Sequence, residues 1–111
     1  MDRSELALVA AGGFLGAMLR YGVSLVVPGA GGTLTANVVG SFVLGTFITS
    51  VSSRRAQLLF GTGMLSSFTT YSTFAVQTAS LSMLGGVANV GANYTLGFVA
   101  AAAGLAVGRR R

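Results

Sequence analysis

From residue 56 to residue 108 the chain carries no Asp, Glu, Lys, Arg or His. A charge-free run of that length has no solvated face to offer water. It belongs in lipid, where backbone N–H and C=O groups must be paired within the protein. In the middle of the run lies Ser66-Ser67-Phe68-Thr69-Thr70-Tyr71-Ser72-Thr73-Phe74, a patch dense in hydroxyls and poor in helix formers. Polar side chains at membrane depth are functional by default, so function is expected there.

With 111 residues, 52% of them apolar and 8% charged, the chain reads as a small integral membrane protein forming one bundle. It has no cysteine and no histidine, which removes disulfides, thiol chemistry, soft metal sites and imidazole acid/base catalysis together. An enzyme is therefore not expected. The start, Met1-Asp2-Arg3-Ser4-Glu5, has the look of a signal-peptide n-region, but the apolar run beyond it extends to Val27 and reads as a first span. The net charge of +5 comes from arginines scattered one or two per loop plus Arg109-Arg110-Arg111. No aromatic residues interleave them, so they signal topology and not nucleic-acid binding.

A hydrocarbon core of about 30 Å takes about 20 helical residues per crossing. The sequence divides into four such lengths, residues 5–27, 33–53, 56–84 and 88–108, which predicts an all-α membrane protein with four transmembrane helices. Both termini and the loop at 54–55 then share one side. Arg3, Arg54, Arg55, Arg109, Arg110 and Arg111 all fall there, whereas the loops at 28–32 and 85–87 are uncharged. The positive-inside rule places that side, and both termini, in the cytoplasm, with the protein in the plasma membrane.

Pro28 and the glycines at 29, 31 and 32 read as a turn, with span two opening at Thr33 or Thr35. In that span Thr33, Asn37, Ser41 and Gly45 recur every four residues and form one helical stripe; Asn89, Asn93 and Gly97 repeat the pattern in span four. Such stripes must face protein or water. Span three is anomalous, because residues 56–84 as one helix would reach ~43 Å. Its crowded hydroxyls and glycines predict a break near residues 64–70, with the freed backbone groups met by protein, water or an ion.

Three motifs, Gly12-Gly13-x-x-Gly16-x-x-x-Arg20-Tyr21, Gly32-Thr33-Leu34-x-x-Asn37-x-x-Gly40-Ser41-Phe42-x-x-Gly45 and Phe68-Thr69-Thr70-Tyr71-Ser72-Thr73-Phe74, closely resemble the CrcB or Fluc fluoride channels, in order and over essentially the whole chain. The resemblance implies an antiparallel dimer of four-helix subunits with a broken third helix, two fluoride pores, and a structural Na⁺ at the dimer centre. It makes Asn37 a donor to fluoride in the pore and gives Tyr71 and Phe74 the two aromatic-box positions. Thr73, Ser72 and Ser41 would line the polar track, with Asn89 and Asn93 near the polar positions of span four. Carbonyls at Ser66 and Thr69 would face the Na⁺, and Arg20 would stand in an aqueous vestibule. The chain departs from the family pattern at three places: Tyr71 replaces the usual Phe, Ser66-Ser67 the usual Gly-Gly, and Gln77 a common glutamate.

The chemistry is coherent on its own terms. Fluoride is small and strongly hydrated, so a pore must replace its water with compact donors; amides and hydroxyls do this without a fixed charge that would trap the ion. Aromatic edges are electropositive and attract an anion. The expected activity is passive export of cytoplasmic fluoride. Two other readings stand beside it. A proton-coupled small multidrug exporter is of similar size but needs a membrane-embedded carboxylate, and here Asp2 and Glu5 lie at the extreme terminus. A non-conducting subunit that completes a complex with a paralogue is the third. The arginine bias itself suggests a heterodimer with an oppositely oriented relative, because an antiparallel pair needs both orientations; a homodimer that selects a small inverted fraction of this chain is the alternative.

Overall fold

The structure, a computed structural model, describes residues 1–110; Arg111, counted above with the inward-facing arginines, lies outside them. Among the described residues the chain is all helix. Helix α1 (Arg3–Val26), α2 (Ala30–Ser50), the short α3 (Arg54–Ala56), a π-helical segment (Gln57–Leu65), α4 (Ser66–Phe68), α5 (Ser72–Ser80) and α6 (Met83–Arg109) follow in that order. α1, α2 and α6 are each long and apolar enough to cross a membrane. Large apolar side chains such as Phe14, Leu25, Leu84 and Phe98 stand on the surface, as they do when the solvent is lipid.

The caps explain why the helices begin where they do. α1 opens on a capping box: Glu5 N–H donates to the Asp2 carboxylate at 2.8 Å and Asp2 N–H to the Glu5 carboxylate at 3.2 Å. Gly29, at φ 74°, turns the chain into α2 three residues earlier than expected. Its carbonyl then takes the N–H groups of Gly32 and Thr33, so the anticipated loop at 28–32 contracts to 27–29. Ser53 caps α3 through the Ala56 N–H, and Ser82 caps α6 through the Gly85 N–H at 3.1 Å. Residues 85–87, expected as a loop, therefore belong to α6, and the turn lies at 81–82.

Two helix pairs make the body. α2 packs along α6, where Gly45 and Gly104 bring the two backbones together and Gly108 meets Thr46 and Thr49. α1 packs along the π-helical segment, where Gly12 lies against Leu59, Gly63 and Met64. Glu5 reinforces the second pair by accepting from Arg54 at 2.6 Å.

The third span is not one helix. Its first part is wound as a π-helix, a rare form that widens the turn and leaves backbone carbonyls poorly aligned. Hydroxyls take those carbonyls: Ser66 bonds to Thr62 and Gly63, Ser67 to Gly63 at 3.1 Å and Met64 at 3.2 Å, and Thr69 to Leu65 at 3.0 Å. Ser67 also reaches Gly13 of α1 at 2.9 Å. The backbone then becomes extended at Thr69, with φ −81° and ψ 161°, and helix resumes at Ser72. The break falls at 69–71, the C-terminal edge of the expected interval.

Adjacent glycines of α1 test this packing. A methyl at Gly12 would meet the Leu59 carbonyl, with Met64 N at 2.9 Å, whereas one at Gly13 meets nothing within 4 Å. Gly12→Ala should lower stability by about 1–3 kcal/mol, read as a lower unfolding midpoint in detergent. Gly13→Ala should leave the midpoint unchanged or raise it.

Candidate functional site: a polar path along the broken helix

The break is held from across the molecule by one side chain. Asn37, in the polar stripe of α2, donates from Nδ2 to the Thr70 carbonyl at 2.9 Å and accepts the Thr70 N–H on Oδ1 at 2.8 Å. A single amide thus stands in for both missing helical partners of Thr70 and ties α2 to the break. Gly40, one turn further along, has no side chain because the Thr69 methyl fills that space. The Thr70 hydroxyl accepts the Thr73 N–H at 3.2 Å and so starts α5. Neither the backbone N–H groups nor the side chains of the described residues reach the carbonyl oxygens of residues 66–69.

Around this junction lie three hollows. One of about 140 Å³ is lined by Asn37, Ser41, Thr70, Tyr71, Phe74, Asn93, Tyr94 and Gly97. The aromatic rings there form a connected set: Tyr71 and Phe74 have centroids 5.8 Å apart, and Phe74 meets Tyr94 edge to face at 6.3 Å and 85°. Phe74 is buried at 7% exposure and Tyr71 is 71% exposed, so this hollow opens on the surface on its Tyr71 side. On the other side of α5, Arg20, Thr33, Thr73 and Gln77 line a cavity of about 240 Å³, where Arg20 donates to the Thr73 hydroxyl at 3.4 Å. A third hollow of about 360 Å³ brings Asn37, Gly40, Ser41, Ser66 and Thr69 together.

The structure divides the expected site residues among the three hollows. Asn37, Ser41, Tyr71, Phe74 and Asn93 share one hollow, Arg20 and Thr73 another, and Ser66 and Thr69 the third. Ser72 is exposed and lines none of the three. Asn93 does not present a donor: Nδ2 is engaged by the Asn89 carbonyl at 2.8 Å and by Asn89 Oδ1 at 3.1 Å, leaving Oδ1 buried and unpartnered. Asn89 in turn donates to Thr78 at 2.8 Å, so its role is to orient Asn93. The donors left for an anion in the first hollow are the second N–H of Asn37 and the hydroxyls of Ser41, Thr70, Tyr71 and Tyr94. Thr70 and Tyr94 received no role from the sequence. The pairing of the Thr70 backbone with Asn37 is something no side-chain pattern reveals, whereas Tyr94 was within reach as the residue beside Asn93 in the stripe of span four.

No cluster of His, Cys, Asp or Glu suited to a metal exists among the described residues. The polar groups that line the hollows, beside glycines, leucines and an alanine, are neutral amides and hydroxyls with one guanidinium, and with the aromatic edges they suit the handling of a small anion. The fold and this lining define an all-α, multi-pass membrane protein with polar groups in hollows beside a broken helix.

Comparison with known proteins gives that class its family. The family model described as "CrcB-like protein, Camphor Resistance (CrcB)" matches residues 7–105, and the chain belongs to that family. The chain is 50% identical to "Fluoride-specific ion channel FluC 2" of Halobacterium salinarum, over 98% of this chain and 87% of that protein. It is 47% identical to "Fluoride-specific ion channel FluC 1" of Natronomonas pharaonis, over 90% of each. A second Halobacterium salinarum protein, "Fluoride-specific ion channel FluC 1", is 47% identical over 67% of this chain and 65% of its own length.

The two-way bond from Asn37 changes what its replacement does. Asn37→Leu leaves both Thr70 backbone groups without a partner at membrane depth, so it should lower stability by about 1–3 kcal/mol and not only remove a donor. Asn37→Gln, too long to reproduce the pairing, should be intermediate. Unfolding midpoints of the purified variants in detergent check both.

Proposed function

We propose that this chain is the subunit of a fluoride channel that lets cytoplasmic fluoride leave the cell down its gradient. The observation that carries the reading is the hollow where Asn37, Ser41, Thr70, Tyr71 and Tyr94 present neutral donors beside the Phe74 edge, with no carboxylate near. A desolvated fluoride exchanges water for those donors in turn, and the absence of a fixed charge there keeps each step shallow. Arg20, in the adjacent cavity, raises the local anion concentration before dehydration. The stripe Thr33, Asn37, Ser41 of α2 runs from that cavity through the break to the aromatic hollow and supplies the sequence of polar positions. Proton-coupled export of cations is not favoured, since both carboxylates of the chain, Asp2 and Glu5, are engaged at the α1 terminus.

The functional unit is an antiparallel dimer of four-span subunits in the cell membrane, with this chain's termini cytoplasmic. The exposed Tyr71 and the open hollows at Asn37 and Ser66 suit completion by a second subunit. A structural Na⁺ fits at its centre: the unclaimed carbonyl oxygens of residues 66–69 are hard ligands of the right kind, and Ser66 and Thr69 are the residues that would hold it. Bound there, the ion would neutralise the carbonyl dipoles that the break exposes. The second subunit is a related chain of opposite orientation. The described arginines other than Arg20 all lie at one end of this one, and the pair of relatives in Halobacterium salinarum supports such a partnership.

Efflux from liposomes read with a fluoride electrode tests the pore assignment. Phe74→Ile keeps bulk and loses the electropositive edge, so fluoride efflux should drop by about tenfold; Tyr71→Phe should retain it. Unchanged efflux from Phe74→Ile would take Phe74 out of the path, and loss in Tyr71→Phe would make the hydroxyl a required donor. Tags on the carboxyl terminus test the partner: a uniform inward terminus in native membranes, with efflux only when a paralogue is co-expressed, is the expected outcome. A large population with that terminus outside contradicts the heterodimer.

A further inference from the structure

We propose, resting on the fluoride-channel reading, that Asn93 limits how tightly the aromatic hollow holds its ion. Its Oδ1 opposes the free donor of Asn37 and keeps fluoride from being trapped between them.

Asn93 lines the hollow together with Asn37 and Ser41, and the orientation of its amide is fixed. Nδ2 donates to the Asn89 carbonyl at 2.8 Å and to Asn89 Oδ1 at 3.1 Å. A backbone carbonyl only accepts, so turning the amide over would set oxygen against oxygen. Asn89 is itself anchored, because its Nδ2 donates to the Thr78 hydroxyl of α5 at 2.8 Å. With its nitrogen drawn back along α6, Asn93 leaves its oxygen as the end of the amide that nothing answers: Oδ1 is buried and has no donor among the described residues. Closed to water, that end of the dipole is poorly screened.

The packing of α2 on α6 brings this oxygen level with the main donor of the hollow. Gly108 meets Thr46 and Thr49, Gly104 meets Phe42 and Thr46, and Ser41 Oγ lies 3.9 Å from where a Cβ on Gly97 would stand. Residue numbers rise together along the two helices, so one turn before the level of Ser41 and Gly97 come Asn37 and Asn93. One N–H of Asn37 is committed to the Thr70 carbonyl and the other is free. A free donor and an unanswered acceptor therefore border one hollow of about 140 Å³. An anion drawn to the first is repelled by the second, and its well is shallower than the donors alone would make it. Conduction needs an ion that leaves as readily as it enters.

The test is the concentration dependence of fluoride efflux from liposomes that hold the chain with its partner subunit. Asn93→Leu removes the opposing oxygen, so half-saturation should come at about fivefold lower fluoride and maximal efflux should fall. A purely structural role would lower the maximum and leave half-saturation where it was. Because leucine also strips the Asn89 acceptors of their donor, Asn93→Asp serves as a second variant. Its carboxyl repels fluoride only when ionised, so efflux should fall as pH rises, whereas the unmodified chain, with no carboxyl lining the hollow, should show no such fall. Unchanged half-saturation in Asn93→Leu, or an Asn93→Asp variant indifferent to pH, would overturn the proposal and leave the channel reading in place. Absence of fluoride efflux from the unmodified chain would overturn both.

Discussion

A helix that stops inside a membrane leaves amide groups with no water to bond, and each such group left unpaired is destabilising. Here the interruption at residues 69–71 is stabilised by the Asn37 amide, which pairs with both the N–H and the C=O of Thr70. The arrangement follows from chemistry that only Asn or Gln offers among uncharged side chains, a donor and an acceptor side by side. Because Asn37 is on α2, which is packed along α6, the break is fixed relative to that helix pair. Ser67, bonded to Gly13, fixes the other flank to α1. Thr70 starts α5 from the same point, so Thr73 and Phe74 are aimed into different hollows by one local geometry.

The hydroxyls in and around the patch include two groups with different work. Ser66, Ser67 and Thr69 turn back onto carbonyls of the π-helical segment, where they satisfy a poorly aligned backbone. Ser41, Tyr71 and Tyr94 have no partner among the described residues and remain for a ligand. The departure from Gly-Gly at Ser66-Ser67 therefore has a local explanation. Their side chains bond backbone of the π-helical segment, and Ser67 also that of Gly13 in α1, and leave the carbonyl oxygens at 66–69 open. Gln77 is less settled by its surroundings: its Oε1 is buried without a partner beside the Arg20 cavity, and we have no physical account of that orphan acceptor.

Much of this was legible in the sequence, for physical reasons that can be named. The charge-free run required lipid, the length of span three against the bilayer required a tilt or a break and its crowded hydroxyls and glycines pointed to the break, and a period of four required Thr33, Asn37 and Ser41 to share a face. What escaped were features without a side-chain signature. The pairing of Asn37 with Thr70 joins an amide to backbone across the chain. The π-helical winding is a shift of backbone pairing from i−4 to i−5, which residue types alone do not announce. The turns at 27–29 and 81–82 shifted because Gly29 and Ser82 cap the following helices earlier than hydropathy alone places them. Asn93 was placed near the polar positions of span four, whereas its neighbour Asn89 decides that its Nδ2 is engaged and its Oδ1 left buried without a partner.

The central claim is that one side-chain amide holds the break, and hydrogen exchange at the Thr70 amide tests it most directly. In the intact protein the Thr70 N–H should exchange slowly, although it lies outside any helix, because Asn37 Oδ1 accepts it at 2.8 Å. It should exchange faster in Asn37→Ala while amides inside α2 and α6 keep their protection. A Thr70 amide that exchanges equally fast with and without the Asn37 side chain would contradict the account.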